Sequence, residues 1–166
     1  MGVGGITNAT TVALSISPYT SNACALLENK TIKCWGYNNW GQLGNGKVSE
    51  SFERFPPVQV GEISNAVAIT AGTLDACAVL ANGGMDCWGN DKNGQLGNGV
   101  FSTNPYSTPV SVEKMTNAIG TAAGNYQTCA LLSSGGIDCW GYNNDGRLGN
   151  GTKEESSTPV PVSGIG

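Results

Sequence analysis

Short apolar runs recur along the chain, set apart by segments rich in Gly, Asn, Ser and Thr. None of them sustains a 3.6-residue apolar spacing, so almost no helix is expected. The runs fall instead into four sets of short strands, each set occurring three times. The first set is Val12–Ile16, Val67–Gly72 and Ile119–Gly124, the later two dominated by Ala and Gly. Such small residues suit strands whose backbones converge on one another. The second set is Cys24–Leu27, Cys77–Leu80 and Cys129–Leu132, and the third is Ile32–Trp35, Met85–Trp88 and Ile137–Trp140. Both are apolar at alternating and sometimes consecutive positions, as in a sheet covered on both faces. The fourth set, Pro57–Val60, Pro109–Val112 and Pro159–Val162, carries prolines that a central strand would not tolerate, so it belongs at an edge.

The register of these sets is fixed by Cys34-Trp35-Gly36, Cys87-Trp88-Gly89 and Cys139-Trp140-Gly141, spaced 53 and 52 residues apart. A fixed period near fifty marks a propeller or another repeat array, with four strands making one blade. The expected fold is all-β, with three four-stranded blades in one repeat domain over residues 1–166. The repeats run approximately over 6–62, 63–114 and 115–166. Between the third and fourth strands lies the most variable stretch, Gly41 to Pro56, Gly94 to Thr108 and Gly146 to Thr158. Its Gly and Asn-Gly steps are turn chemistry, and Leu43, Leu96 and Leu148 are expected to pin it to the blade beneath. The first repeat departs from the others. It is four residues longer from Ile6 to Cys24, and it puts Tyr19, after Pro18, where the others have Gly72 and Gly124. An end repeat that faces something other than a sibling would do this.

Six cysteines form three Cys-x9-Cys pairs: Cys24 with Cys34, Cys77 with Cys87, and Cys129 with Cys139. Zinc and redox motifs use a much closer spacing. Each pair brackets a turn at Glu28-Asn29-Lys30, Ala81-Asn82-Gly83 or Ser133-Ser134-Gly135. A three-residue hairpin loop needs a positive φ at its third place, natural for Gly83 and Gly135 and strained for Lys30. Folding about the turn sets the cysteines opposite one another, within disulfide reach, although three pairs of buried thiols would also satisfy the spacing. Disulfides would place the protein outside the cell or on its surface.

Composition narrows the function. Net charge is −4 with eight scattered Lys and Arg, which lacks the basic stripe of a nucleic-acid binder. No apolar run is long enough to span a bilayer, and no signal peptide is evident, so the chain reads as mature, trimmed or partial. Histidine is absent, which removes the commonest general base and metal ligand. Without it no Ser-His pair exists, and Asp75, Asp86 and Asp138 lie at hairpin or solvent positions, so no enzyme is expected and no catalytic residue is assigned. Asp91-Lys-Asn93-Gly94 and Asn143-Asn-Asp145-Gly146 echo part of a calcium loop but lack its essential carboxylates. They read as turns, and neither metal nor cofactor is expected.

Three Asn-x-Thr sequons, at Asn8, Asn29 and Asn150, fall in expected turns or termini and are possible glycosylation sites. Trp35, Trp88 and Trp140 repeat in register and are expected to pack between blades. Trp40 has no sibling tryptophan, its equivalents being Asn93 and Asp145, and it is the first candidate for an exposed protein-binding aromatic. Phe52, Phe55 and Tyr106, in the variable loops, come next; each could also simply cover its own blade.

Cys-Ala-Leu-Leu, Cys-Trp-Gly-Tyr-Asn-Asn, Gly-Gln-Leu-Gly-Asn-Gly and Ser-Thr-Pro-Val-x-Val, recurring over nearly the whole chain, resemble the regulator-of-chromosome-condensation repeat family. That resemblance implies a β-propeller, usually seven-bladed, and is silent on function. The cysteine pairs resemble secreted bacterial versions more than the nuclear exchange factor, which acts on a small GTPase through a protruding wedge. No comparable insertion occurs here, since Cys34–Cys77 and Cys87–Cys129 differ by one residue. Another secreted relative inhibits β-lactamases with loops of one rim.

Three blades would expose apolar faces at both ends. The chain would then be a fragment, or copies would meet head to tail in a ring or a fibre. The reading is an extracellular, non-enzymatic interaction or structural module whose protein partner is unknown. A self-assembling subunit is one alternative, and an inhibitor-like or exchange-factor-like propeller acting through rim loops is another.

Overall fold

The computed structural model describes residues 4–15, 17 and 21–165. Ile16 and Tyr19, which figure in the expectations for the first repeat, lie outside the described residues. Twelve strands and no helix occur among the described residues, in three antiparallel four-stranded sheets. The first blade is β1 (Ala9–Leu14), β2 (Asn22–Leu27), β3 (Ile32–Gly36) and β4 (Phe55–Gln59). The second is β5 (Ala66–Ala71), β6 (Asp75–Leu80), β7 (Met85–Asp91) and β8 (Ser102–Ser111). The third is β9 (Ala118–Ala123), β10 (Gln127–Leu132), β11 (Ile137–Gly141) and β12 (Ser156–Pro161). Strands follow sequence order in every sheet, which leaves β4, β8 and β12 at edges, where their prolines remove no ladder bond.

The fourth strands begin earlier than the sequence indicates. A register shift between Cys34 and Gly36 lets pairing resume at Phe55, opposite Gly36, and a like shift pairs Gly89 with Tyr106. Gly36, Gly89 and Gly141 hold φ of 107°, 109° and 104° at these shifts. A Cβ there would strike a carbonyl of the chain before the second strand at 2.6, 2.4 and 2.4 Å. The glycine of each Cys-Trp-Gly is therefore set by the bulge.

Each central hairpin turns through three residues. Lys30 N–H donates to Leu27 O and Leu27 N–H to Thr31 O, both at 2.9 Å, and the other two hairpins repeat this pattern. Lys30 takes φ 66° where Gly83 and Gly135 take 82° and 90°, so the lysine carries the strain that the glycines escape. The register sets Cys24 opposite Cys34, Cys77 opposite Cys87 and Cys129 opposite Cys139. All three pairs are disulfide-bonded, with Cα atoms 4.1 Å apart.

The core lies between blades rather than within them. One face of the first blade (Cys24, Leu26, Ile32, Cys34, Leu43) packs against Ala66, Ile69, Ala76, Ala78 and Trp88 of the second. The second blade meets the third in the same way, Cys77, Val79, Met85 and Leu96 packing against Met115, Ala118, Ala130 and Trp140. The Ala-rich sides let the sheets approach closely, while the disulfides and aliphatics fill the facing surface.

A polar latch closes each junction. Trp88 Nε1 donates to the Gln42 carbonyl at 3.0 Å, and Trp140 Nε1 donates to the Gln95 carbonyl at 2.9 Å. Thr128 Oγ1 donates to the same Gln95 carbonyl at 3.0 Å. Gly44 and Gly97, two residues further on, hold φ of 63° and 70°, and a Cβ would lie 2.9 and 2.7 Å from the indole. Outside the latch, Gly46 N–H donates to Ser107 O and Gly99 N–H to Ser157 O. The Gly-Gln-Leu-Gly-Asn-Gly loop is thus the clasp that binds one blade to the next. Trp88 and Trp140 are fully buried there, while Trp35 of the first blade is only half-buried.

The cross-strand disulfides are part of the inter-blade core as well as chain staples. Replacing Cys77 and Cys87 together with Ala should lower unfolding free energy by about 2–4 kcal/mol. Denaturant titration of the oxidised protein checks this, and an unchanged midpoint would show that the bond contributes no stability.

Candidate functional site

The segments joining third to fourth strands are built on a side-chain clamp. Asn38 Oδ1 accepts from Leu43 N–H at 3.0 Å, and its Nδ2 donates to Lys47 O at 2.8 Å. Asn143 does the same in the third blade, accepting from Leu148 N–H at 2.9 Å and donating to Thr152 O and Glu154 O. Leu43, Leu96 and Leu148 are fully buried, as expected of residues pinning the loop. In the first blade Asn39 Nδ2 reaches Ser49 O and Ser51 O, tying down the strand of loop that leads to Phe52.

This arrangement presents one aromatic and cationic cluster to solvent. Phe52 is 74% exposed and meets Tyr37 edge-on, ring centroids 6.3 Å apart at 80°. The Arg54 guanidinium lies 5.6 Å from the Tyr37 ring centroid. Trp40 is half-buried on the same loop, its N–H donating to Gln42 Oε1 at 2.9 Å. The remaining two candidates have a different position from the one the sequence indicates. Phe55 and Tyr106 are strand residues of β4 and β8, partly buried against the inter-blade cores. The early restart of the edge strands draws them out of the loops. Tyr37 and Arg54 were not singled out in the sequence, although Tyr37 recurs as Tyr142.

The third blade builds a different rim. Arg147 stands where Gln42 and Gln95 stand, and its guanidinium lies 4.9 Å from the Tyr142 ring centroid. Its Nε donates to Asp145 Oδ1 at 2.7 Å and its Nη1 to Asn125 O at 2.9 Å. The arginine holds the Asp145 carboxyl below the usual carboxylate range.

Asn29 is exposed, and Asn8 and Asn150 are half-buried. In two of the sequons the threonine hydroxyl donates to the asparagine carbonyl, Thr31 to Asn29 at 2.8 Å and Thr152 to Asn150 at 2.9 Å. Asp86 accepts from Ser111 Oγ at 2.9 Å on the sheet surface.

Two buried carboxyls stand in the second blade at positions where a sibling carries an amide. Asp91 replaces Asn38 and Asn143, and Asp75 replaces Asn22 and Gln127. Asp91 Oδ1 accepts from Leu96 N–H at 3.1 Å, as the asparagines do, but Oδ2 is buried without a hydrogen-bond partner where Asn38 and Asn143 place a donating amide. Both Asp75 oxygens are likewise unpartnered. Burial pushes the Asp91 carboxyl up to about 6 and the Asp75 carboxyl up to about 8. Among the described residues no group of three or more Cys, Asp or Glu is arranged to hold a metal ion.

Comparison with known proteins agrees with this architecture. The family model for the regulator of chromosome condensation (RCC1) repeat matches residues 34–79, 82–131 and 134–166. The ultraviolet-B receptor UVR8 of Arabidopsis thaliana is 29% identical over 132 residues, covering 80% of this chain and 30% of that protein. The probable E3 ubiquitin-protein ligase HERC6 of Homo sapiens is 31% identical over 138 residues, covering 82% of this chain and 13% of its own length. The solved structure of yeast RCC1 (Prp20) bound to Kap60 overlays with a TM-score of 0.80 at 18% identity, covering 96% of this chain and 38% of that one. Human WBSCR16 overlays with a TM-score of 0.75 at 23% identity, covering 93% and 38%. The chain thus spans only a minor part of each of these proteins.

The carboxyls set a pH dependence. Their folded pKa values lie above the ordinary 3.8, so folding favours their neutral forms. That contribution is whole below about pH 4 and is lost as pH rises through 6 and then 8. Asp91→Asn supplies the missing donor and should raise stability at pH 8 by about 1–3 kcal/mol, with little change at pH 4. Thermal melts of both proteins at the two pH values check this; a variant less stable at pH 8 would refute it.

Proposed function

Because the chain belongs to the regulator of chromosome condensation (RCC1) repeat family, we propose that it is a non-enzymatic protein-interaction module acting outside the cell or on its surface. The observation that carries the binding reading is the Phe52, Tyr37 and Arg54 cluster. A large apolar side chain that is 74% exposed on a tied-down loop, next to an arginine over an aromatic ring, has the chemistry of an interface anchor. Holding these groups in place before contact lowers the ordering cost of binding. Trp40 adds a second aromatic on the same loop. The partner chemistry that fits is a protein surface with an apolar recess and a nearby carboxylate for Arg54.

Three features support the remaining parts of the proposal. All six cysteines are paired, which suits an oxidising compartment. The chain has no histidine, and its two buried carboxyls, Asp75 and Asp91, are closed off from solvent rather than set in an open cleft. A solved relative of the same fold was captured with a protein, Kap60, bound to it. Rim loops are where a propeller can vary without disturbing its blades, and the exposed cluster lies on such a loop.

Affinity capture from an extracellular or surface fraction tests this. Phe52→Ala and Arg54→Ala should each reduce recovery of the partner about tenfold or more, with melting unchanged. Lys153→Ala, on the equivalent loop of the third blade, should not. Equal recovery with all three variants would exclude the first-blade rim as the binding surface.

A further inference from the structure

Each internal junction opens a groove at the far end of the fourth strand from the segment that carries Phe52. There the connection leaving one blade passes beside the outer strands of the next. The first groove, of 480 Å³, lies between Glu62, Ile63 and Asn65 of the β4–β5 connection and Asp86 and Pro109 of the second blade. The second, of 200 Å³, is lined at the same positions by Lys114, Met115, Asn117, Asp138 and Pro159. Neither draws on the outer faces of the first and third blades.

The second blade holds one wall of the first groove rigid. Asp86 of β7 pairs in register with Ser111 of β8, and Ser111 Oγ donates to Asp86 Oδ1 at 2.9 Å. That bond fixes the carboxyl and leaves Oδ2 without a partner among the described residues. Glu62 stands exposed on the same groove, and among the described residues neither carboxylate takes part in an ion pair. Ile63, 7% exposed, and the half-buried Pro109 supply an apolar floor. Gly61 closes one end, where a Cβ would lie 2.9 Å from Pro109 Cδ.

The second groove supplies its own cation. Lys114 stands where Glu62 stands, and its Nζ lies 3.5 Å from Oε1 of Glu113, which takes the place of Gly61. Asp138 pairs in register with Pro161, which has no hydroxyl to hold the carboxyl. The first groove therefore has the fixed carboxylate, the larger space and no internal counter-charge.

Two carboxylates without a counter-ion attract a cation, and an apolar floor leading up to them suits a methylene chain that ends in one. We propose that the first groove docks a lysine side chain from an exposed segment of a partner protein. Its stem lies over Ile63 and Pro109, and its ammonium donates to Asp86 Oδ2, the Glu62 carboxylate and the Asn65 side-chain carbonyl. This contact is separate from the Phe52 cluster and does not rest on it.

Titration of the isotope-labelled full chain with the peptide acetyl-Gly-Gly-Lys-Gly-Gly-amide, read from backbone amide chemical shifts, tests this. The shifts should saturate and centre on Gly61, Glu62, Asn65 and Asp86. Asp86→Asn keeps the side-chain size and should weaken binding about tenfold. Ser111→Ala releases the carboxyl and should weaken binding by a smaller factor, whereas Asp138→Asn should leave it unchanged. Circular dichroism confirms that each variant is folded. A peptide with norleucine in place of lysine keeps the stem and should not bind. Shifts spread equally over other acidic positions, such as Glu28, Glu50 and Glu154, would mean a general attraction to acidic surface and overturn the proposal. So would undiminished binding by Asp86→Asn, equal binding of an arginine peptide or of spermidine, or no shift at the highest peptide concentration.

Discussion

An indole N–H donated across a blade junction to a main-chain carbonyl holds the structure at its spacing. The Trp88 and Trp140 bonds are buried, so they cannot be exchanged for water without leaving a donor and an acceptor unsatisfied. Everything around them follows from that constraint. The clasp loop must bring its carbonyl to the indole, so Gly44 and Gly97 have no side chain at the point of contact. Leu43 and Leu96 must seat the loop, and Asn38 and Asp91 must cap the leucine N–H groups. One blade supplies the donor and its neighbour supplies the acceptor, so no blade is complete by itself.

The disulfides solve a different problem. A blade with alanines on one face and a thin aliphatic layer on the other buries little apolar surface of its own. Cross-linking the central hairpin removes loop entropy from the unfolded chain and adds sulfur to the layer that the next blade covers. Rigidity at the centre leaves the third-to-fourth connections free to differ. The first carries an exposed phenylalanine and the third an arginine folded over a tyrosine.

Much of this was legible in the sequence because it is local. The Cys-x9-Cys spacing and the turn at Glu28-Asn29-Lys30 define a hairpin without help from distant residues, down to the positive φ required of Lys30. The edge position of the fourth strands could be read from their prolines. Their starting points could not, because the register shift opposite Gly36 depends on how β3 bends against β4. That is why Phe55 and Tyr106, which read as loop residues, belong to strands. The latch acceptor was also hidden, since a carbonyl leaves no mark on residue type. Its trace was the recurrence of Trp and Gly at a constant offset, with Gln between them in the first two repeats. The substitution of Asp91 for Asn38 and Asn143 was visible, but its burial and the resulting rise in pKa were not.

The cross-strand disulfides also decide how the molecule answers a pull on its ends. Tension entering a blade along the second strand crosses to the third through the sulfur bridge, so the turn between the cysteines never bears load. Each bridge spans a sequence separation of 10 residues. At about 3.5 Å per residue, roughly 35 Å of chain per blade is withheld from extension. Stretching can part the blades and peel the strands outside the bridges, leaving three short crosslinked hairpins that cannot unravel. Under oxidising conditions the chain behaves mechanically as hard knots joined by extensible segments.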